Sequence, residues 1–133
     1  MIPRTDLKAI VEARLVDSRV LFDGQRYDAA QYLVGYAVEL ALKARFCADK
    51  GETEFPGTLG EFRAWEEKHG IRLDRHTLLE LREATSADLT KYLYKWSLVE
   101  KWHPTMRYSP IGYATPGDTR SMIAAAKVIV GAL

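Results

Sequence analysis

Apolar residues recur along this chain at intervals of three and four, and no stretch alternates with period two long enough to propose a strand. The fullest example is Gly24–Lys43, where Ala30, Leu33, Val34, Ala37, Leu40, Ala41 and Ala44 form one stripe. The opposite side of that helix is not plainly polar: Tyr32, Gly35, Leu42 and Phe46 surround a single carboxylate, Glu39. A helix apolar round most of its circumference is central in a bundle or covered by a second chain. A lone Glu in such a place needs a partner or a role.

The same periodicity predicts the other elements. Helix one runs from Thr5, as N-cap, to about Asp23, with Gly24 as its stop. It carries two apolar seams, Leu7, Val11, Leu15 and Phe22 on one and Ala9, Ala13, Val16 and Val20 on the other, which implies two packing partners. Helix two, about Tyr27 to Asp49, returns antiparallel after a short link. A loop holding Pro56 precedes a capping box at Thr58–Glu61, which opens a short helix, Leu59 to His69, closed by Gly70. A further segment runs from near Thr77 to Ala84 and bends at Thr85-Ser86. Helix four covers roughly Ala87 to Trp102, with Leu89, Tyr92, Leu93, Trp96 and Val99 or Glu100 inward and Pro104 as its end. Thr115-Pro116 starts the last helix, Gly117 to Ala132, which packs through Met122, Ala125, Ala126, Ile129 and Val130. The expected fold is all-α: an antiparallel up-and-down four-helix bundle with an additional short helix, in one domain over residues 1–133.

Composition narrows the class. Hydrophobic residues at 47% and charged residues at 28% are those of an ordinary soluble protein with enough core to need no staples. The single cysteine, Cys47, excludes an internal disulfide and a cysteine-cluster zinc site, and suits a reducing cytoplasm. On the flank of the helix-two stripe it reads as a small buried hydrophobe. No signal-peptide pattern or membrane-length apolar run is present, so the expected location is the cytoplasm, with no membrane partner. The net charge of +1 hides an asymmetry: residues 51–90 hold five Lys/Arg against nine Asp/Glu, and residues 91–133 hold six against two. That pattern is either chance on a solvated surface or a basic last third attractive to phosphate.

Familiar chemistry is missing. Neither GxxxxGK nor GxGxxG occurs, nor HExxH, nor a G-x-S-x-G elbow, so no cofactor and no metal site is expected. Three runs nevertheless carry a resemblance. They are GQRYDAAQYLVGYAVELALKA at Gly24–Ala44, HTLLEL at His76–Leu81 and WHPTMRY at Trp102–Tyr108. The first resembles the second helix of HEPN domains, the second the H-x-L-x-x-L that opens their next helix, and the third the W-x-P-x-x-R-Y of stand-alone members.

The resemblance implies a helical bundle linked to nucleotides and RNA, and a small nucleotidyltransferase as partner in a toxin–antitoxin or defence arrangement. It also implies, for active members, metal-independent RNA cleavage by an Arg and a His about four to six residues apart, facing a second copy. Arg neutralises the scissile phosphate and His moves a proton near neutral pH. Arg63 and His69 match that spacing but sit in the acidic run EFRAWEEKHG. Arg107 matches the motif by position, yet no His follows it; His103 precedes it. Arg107 and Tyr108, beside Trp102, are the expected binding element, the guanidinium holding a phosphate and the aromatics stacking on a base, with Glu39 and Lys43 of helix two completing the expected nucleotide- or RNA-binding set. Arg107 pairing with buried Glu39 is the expected anchor of that loop, with an i,i+4 pair between Glu39 and Lys43 as the alternative. Tyr27, Tyr32 and Tyr36 read as packing residues, and His76 as a residue that opens a helix. A homodimer burying part of helix one or two completes the expectation, with a non-catalytic adaptor as a further reading.

Overall fold

In the computed structural model, residues 1–72 and 77–133 are described; the reading of His76 falls outside them. A two-residue bridge opens the chain: β1 (Ile2–Pro3) pairs antiparallel with β2 (Glu54–Phe55). The helices are α1 (Arg4–Asp23), α2 (Tyr27–Asp49), α3 (Leu59–His69), α4 (Leu78–Ala84), α5 (Leu93–Val99) and α6 (Pro116–Ala132). Short 3-10 turns cover Thr90–Tyr92 and Pro104–Tyr108. The fold is mostly helical, and no helix among the described residues is long and apolar enough to cross a membrane.

α2 is the centre, as its apolar circumference requires. It packs on α1, α4 and α6, on β2 and on the 3-10 turn at Pro104–Tyr108. Ala30, Val34, Ala37, Val38, Leu42 and Cys47 along it are buried. Leu7 of α1, Leu78 and Leu81 of α4, Trp96 and Val99 of α5, and Met122, Ala126 and Ile129 of α6 close the core round it. Cys47 is the small buried hydrophobe its position suggested; burial pushes its thiol up to about 11. The Thr58/Glu61 capping box forms with both reciprocal bonds, Gly70 ends α3 in the left-handed conformation, and Thr115 caps α6.

Four expectations need correcting. Thr5 does not cap α1; the helix begins at Arg4 because Ile2–Pro3 is held on β2 and the Arg4 amide donates to Thr53 O at 2.8 Å. Those pairings also make a small strand bridge that periodicity cannot register in two residues. Helix four is shorter than Ala87–Trp102. The Asp88 carboxylate accepts from the Thr90 amide at 3.0 Å and from the Thr90 hydroxyl at 2.8 Å, and this local turn competes with the helix start. The 3-10 turn that follows shifts the helical phase, so Leu93 faces solvent at 59% exposure while Trp96 and Val99 face inward.

Candidate functional site

Asp28, Tyr32, Tyr36, Glu39 and Lys43 follow one another on α2 at steps of four and three, which places them on one face of the helix. This polar stripe runs down an otherwise apolar element, its first members meeting segments that cross the helix and its last two pairing with each other.

At the N-terminal end, the Asp28 carboxylate accepts the Gly112 amide at 2.7 Å and the Ala114 amide at 3.0 Å. Those two bonds, Gly112 first, hold its carboxyl below the usual range and tie the loop before α6 onto α2. Two turns on, Trp102 lies over the helix at Gly35. A Cβ at Gly35 would stand 2.0 Å from the indole Cδ1, so only glycine admits the ring. The indole N–H donates to Tyr32 O at 3.1 Å. The Tyr32 and Tyr36 rings meet edge-on at 5.1 Å, and Tyr36 meets Trp102 at 5.0 Å. A hydrogen bond with Tyr32, followed by burial, pushes the Tyr36 phenol up to about 12.

Trp102 also delivers the segment that follows it. His103 caps the 3-10 turn: its Nδ1 accepts the Thr105 amide at 3.2 Å and stands 2.8 Å from the Thr105 hydroxyl. An accepting Nδ1 leaves the proton of the neutral ring on Nε2. Met106 is half-buried against the core, and Arg107 and Tyr108 are turned outward. The Arg107 guanidinium lies 4.9 Å from the centre of the Tyr108 ring, and the phenols of Tyr108 and Tyr32 raise its already high pKa. Between this turn and the start of α2 opens a cleft of about 280 Å³ lined by Asp28, Tyr32, Met106, Arg107, Ser109 and Tyr113, among others.

Glu39 is buried at 8% exposure, as expected, but its partner is not Arg107. Lys43, equally buried, donates from Nζ to Glu39 Oε1 at 2.7 Å and lies 6.0 Å from the Phe55 ring centre. The other oxygen, Oε2, has no hydrogen-bond partner among the described residues. The reason for the correction is axial distance. Arg107 meets α2 at Tyr32, and Glu39 is seven residues further, about 10 Å along the axis at 1.5 Å per residue. Lys43 is one turn from Glu39 on the same face, and burial makes their pair more than a surface i,i+4 contact.

The remaining candidates do not assemble into a cleavage pair within this chain. His69 Nε2 lies 2.9 Å from Glu52 Oε1, the oxygen that Lys68 Nζ also reaches at 2.5 Å, and its ring packs on Trp65 at 4.4 Å. Lys68, more than His69, holds the Glu52 carboxyl low. Arg63 is exposed, six residues and so about 120° round α3 from His69. The site that does assemble joins Trp102, His103, Arg107 and Tyr108 to the Tyr32–Tyr36 end of the stripe. Lys43 and Glu39 occupy its far end, away from solvent. Gly35 and Asp28 are the contributors missed from sequence. Asp28 stood four residues before Tyr32, a spacing open to inspection, whereas the close approach at Gly35 left no sign beyond the glycine itself.

Among the described residues no group of three His, Cys, Asp or Glu side chains is placed to hold a metal ion. Comparison with curated proteins and with solved structures gives no match. A family model, the HEPN domain, matches residues 5–133, which takes in every helix from α1 to α6 apart from the first residue of α1. The chain belongs to the HEPN domain family.

Proposed function

We propose that the cleft beside Arg107 binds the phosphate of a nucleotide or of single-stranded RNA. The observation that carries this reading is an outward-facing guanidinium with no ion pair among the described residues, beside an exposed phenol ring and at the mouth of a cleft. The Asp28 carboxylate in the same cleft is occupied by two amides, which leaves Arg107 to set the sign of the charge presented to a ligand. Arg supplies the phosphate contact and Tyr108 a stacking face. In keeping with the family resemblance, the bound nucleotide or RNA belongs to a toxin–antitoxin or defence arrangement with a small nucleotidyltransferase as partner.

The test is fluorescence anisotropy with a labelled oligoribonucleotide and, in competition, a nucleoside monophosphate. Arg107→Ala removes a charge-assisted hydrogen bond of about 1.5–3 kcal/mol, so affinity falls roughly 10- to 150-fold while the circular dichroism spectrum and melting curve stay as in the native protein. Undiminished binding by a folded Arg107→Ala variant sinks the reading. A second reading, a metal-independent ribonuclease, draws on one observation: His103 stands four residues from Arg107 on the same turn, and its Nε2 has no hydrogen-bond partner among the described residues. Metal-free incubation with RNA is expected to show no cleavage by the purified protein. Cleavage that disappears in His103→Ala or His69→Ala would establish the second reading instead.

A further inference from the structure

The loop before α6 uses only half of the acceptor capacity of Asp28. A carboxylate offers about four lone-pair sites, two on each oxygen. The Gly112 amide takes one on Oδ2 at 2.7 Å, and the Ala114 amide takes one on Oδ1 at 3.0 Å. One site remains on each oxygen, and among the described residues no third donor reaches the group. Asp28 is half-buried, lines the same cleft as Arg107, and stays ionised because the two amides hold its carboxyl low. We propose that the nucleotide taken by this cleft carries a free 2′,3′-diol, whose two hydroxyls donate to the two oxygens of Asp28 while Arg107 holds the phosphate. Given the Arg107 reading, on which this rests, the ligand is a nucleotide unit with phosphate on its 5′ side and nothing on its 3′ oxygen.

Size, charge and donor number agree on that ligand. Pockets of roughly 300–1,000 Å³ enclose most of a drug-sized molecule, and this cleft of about 280 Å³ encloses less. A sugar and its phosphate fill it. The base is left at the mouth, where Tyr108, 75% exposed, offers a stacking face. The phosphate is repelled by the Asp28 carboxylate and drawn to the Arg107 guanidinium, so the part of the ligand beside Asp28 is neutral and donates. Tyr113, which also lines the cleft, donates to the Asp28 carbonyl at 3.4 Å; burial, then the Asp28 charge, push its phenol up, so it adds no second anion. In a sugar phosphate the neutral donors are the hydroxyls, and two adjacent hydroxyls match two oxygens that each have one open site. A deoxyribose brings one donor and leaves the other oxygen of a half-buried carboxylate without a replacement for its water, which is how hydrogen bonding discriminates. An internal nucleotide of RNA also brings one, because its 3′ oxygen is esterified.

The test is titration calorimetry of the native chain with the four ribonucleoside 5′-monophosphates, then with the 2′-deoxy and 3′-deoxy forms of whichever binds tightest. Each deoxy form should bind more weakly by about tenfold or more, and in a folded Asp28→Asn variant that ratio should shrink to about threefold or less. A short oligoribonucleotide ending in a free diol is compared with the same chain ending in a 3′-phosphate, which should not compete. Competition by the diol-ended chain at the strength of the mononucleotide makes an RNA 3′ end the source of the ligand; failure to compete makes it the free nucleotide, and both bear the proposal out. Equal binding of ribo and deoxy forms, with Arg107→Ala weakening both, overturns the diol contact and leaves the phosphate reading standing. Equal competition by the 3′-phosphate chain overturns it too. An Asp28→Asn variant weakened alike for all three nucleotides, with the ratio intact, shows that the carboxylate only clamps the loop. Binding of no nucleotide, with oligoribonucleotide anisotropy unchanged by Arg107→Ala, overturns the phosphate reading and the diol together.

Discussion

Replacing Gly35 by alanine should destabilise the fold although alanine is the better helix former. The added methyl would sit 2.0 Å from Trp102 Cδ1, 2.1 Å from Cγ and 2.2 Å from Nε1. Carbon atoms rest about 3.5–4.0 Å apart, so the indole must retreat by about 1.5–2 Å. It has no easy route: Trp102 is 3% exposed, lies against the rings of Tyr32 and Tyr36, and holds Tyr32 O through Nε1. Overpacking costs about 1–3 kcal/mol, and a buried indole N–H left without its acceptor about 1–3 kcal/mol more. Helix propensity returns up to about 1 kcal/mol. The net loss is about 2–4 kcal/mol, which for a chain of this size lowers the Tm by roughly 10 °C. Urea denaturation followed by circular dichroism measures it, and tryptophan fluorescence reports the displaced indole. Gly131→Ala is the control, because nothing stands within 4 Å of a Cβ at that helical position, and it should be neutral or slightly stabilising. Gly35→Ala as stable as the native chain, or indistinguishable from Gly131→Ala, refutes the contact argument.

Two further outcomes test the polar stripe. Lys43→Met removes the ion-pair partner that a buried carboxylate has among the described residues and should cost about 3–5 kcal/mol in urea denaturation, most of it regained in Glu39→Leu/Lys43→Met; a harmless single variant would show that the pair is not held away from water. Asp28 has a folded-state pKa below its unfolded value of about 3.9, so its stabilisation is complete above that value and is lost as pH falls through the folded one. Melting curves from pH 7 down to 2 should therefore show a shallower acid decline in Asp28→Asn, with faster amide exchange at Gly112 and Ala114; an acid limb identical to the native one would count against the clamp.

What could be read from the sequence was mainly what local chemistry determines. α2 was legible because its apolar stripe is long, and α3 because Thr58, Glu61 and Gly70 provide both of its ends within the segment itself. The errors fell where a distant or competing contact decides. α1 begins at Arg4 because β2, some fifty residues away, takes up the backbone before it. α5 is short because the Asp88 side chain offers the chain a turn where periodicity alone continues a helix. Leu93 was placed inward by counting from Leu89, and one 3-10 turn between them was enough to rotate it out.

The same distinction explains the site. Spacing shows that Asp28, Tyr32, Tyr36, Glu39 and Lys43 share a face, and it shows nothing of what crosses that face. The sequence reading set Arg107 on Glu39, but a stripe about 22 Å long offers an arriving cation more than one carboxylate or phenol, and only the path of the chain chooses. That path is set by the paired absence of a side chain at Gly35 and presence of an indole at Trp102, which brings the following 3-10 turn down at Tyr32 and leaves Glu39 to Lys43. The consequence is a division along one helix. The Lys43 end is sealed and bears on stability, the Arg107 end is open and is where the proposed ligand would bear, and Tyr32 and Tyr36 under Trp102 lie between the two. A variant at Lys43 that alters ligand affinity without altering stability would contradict that division.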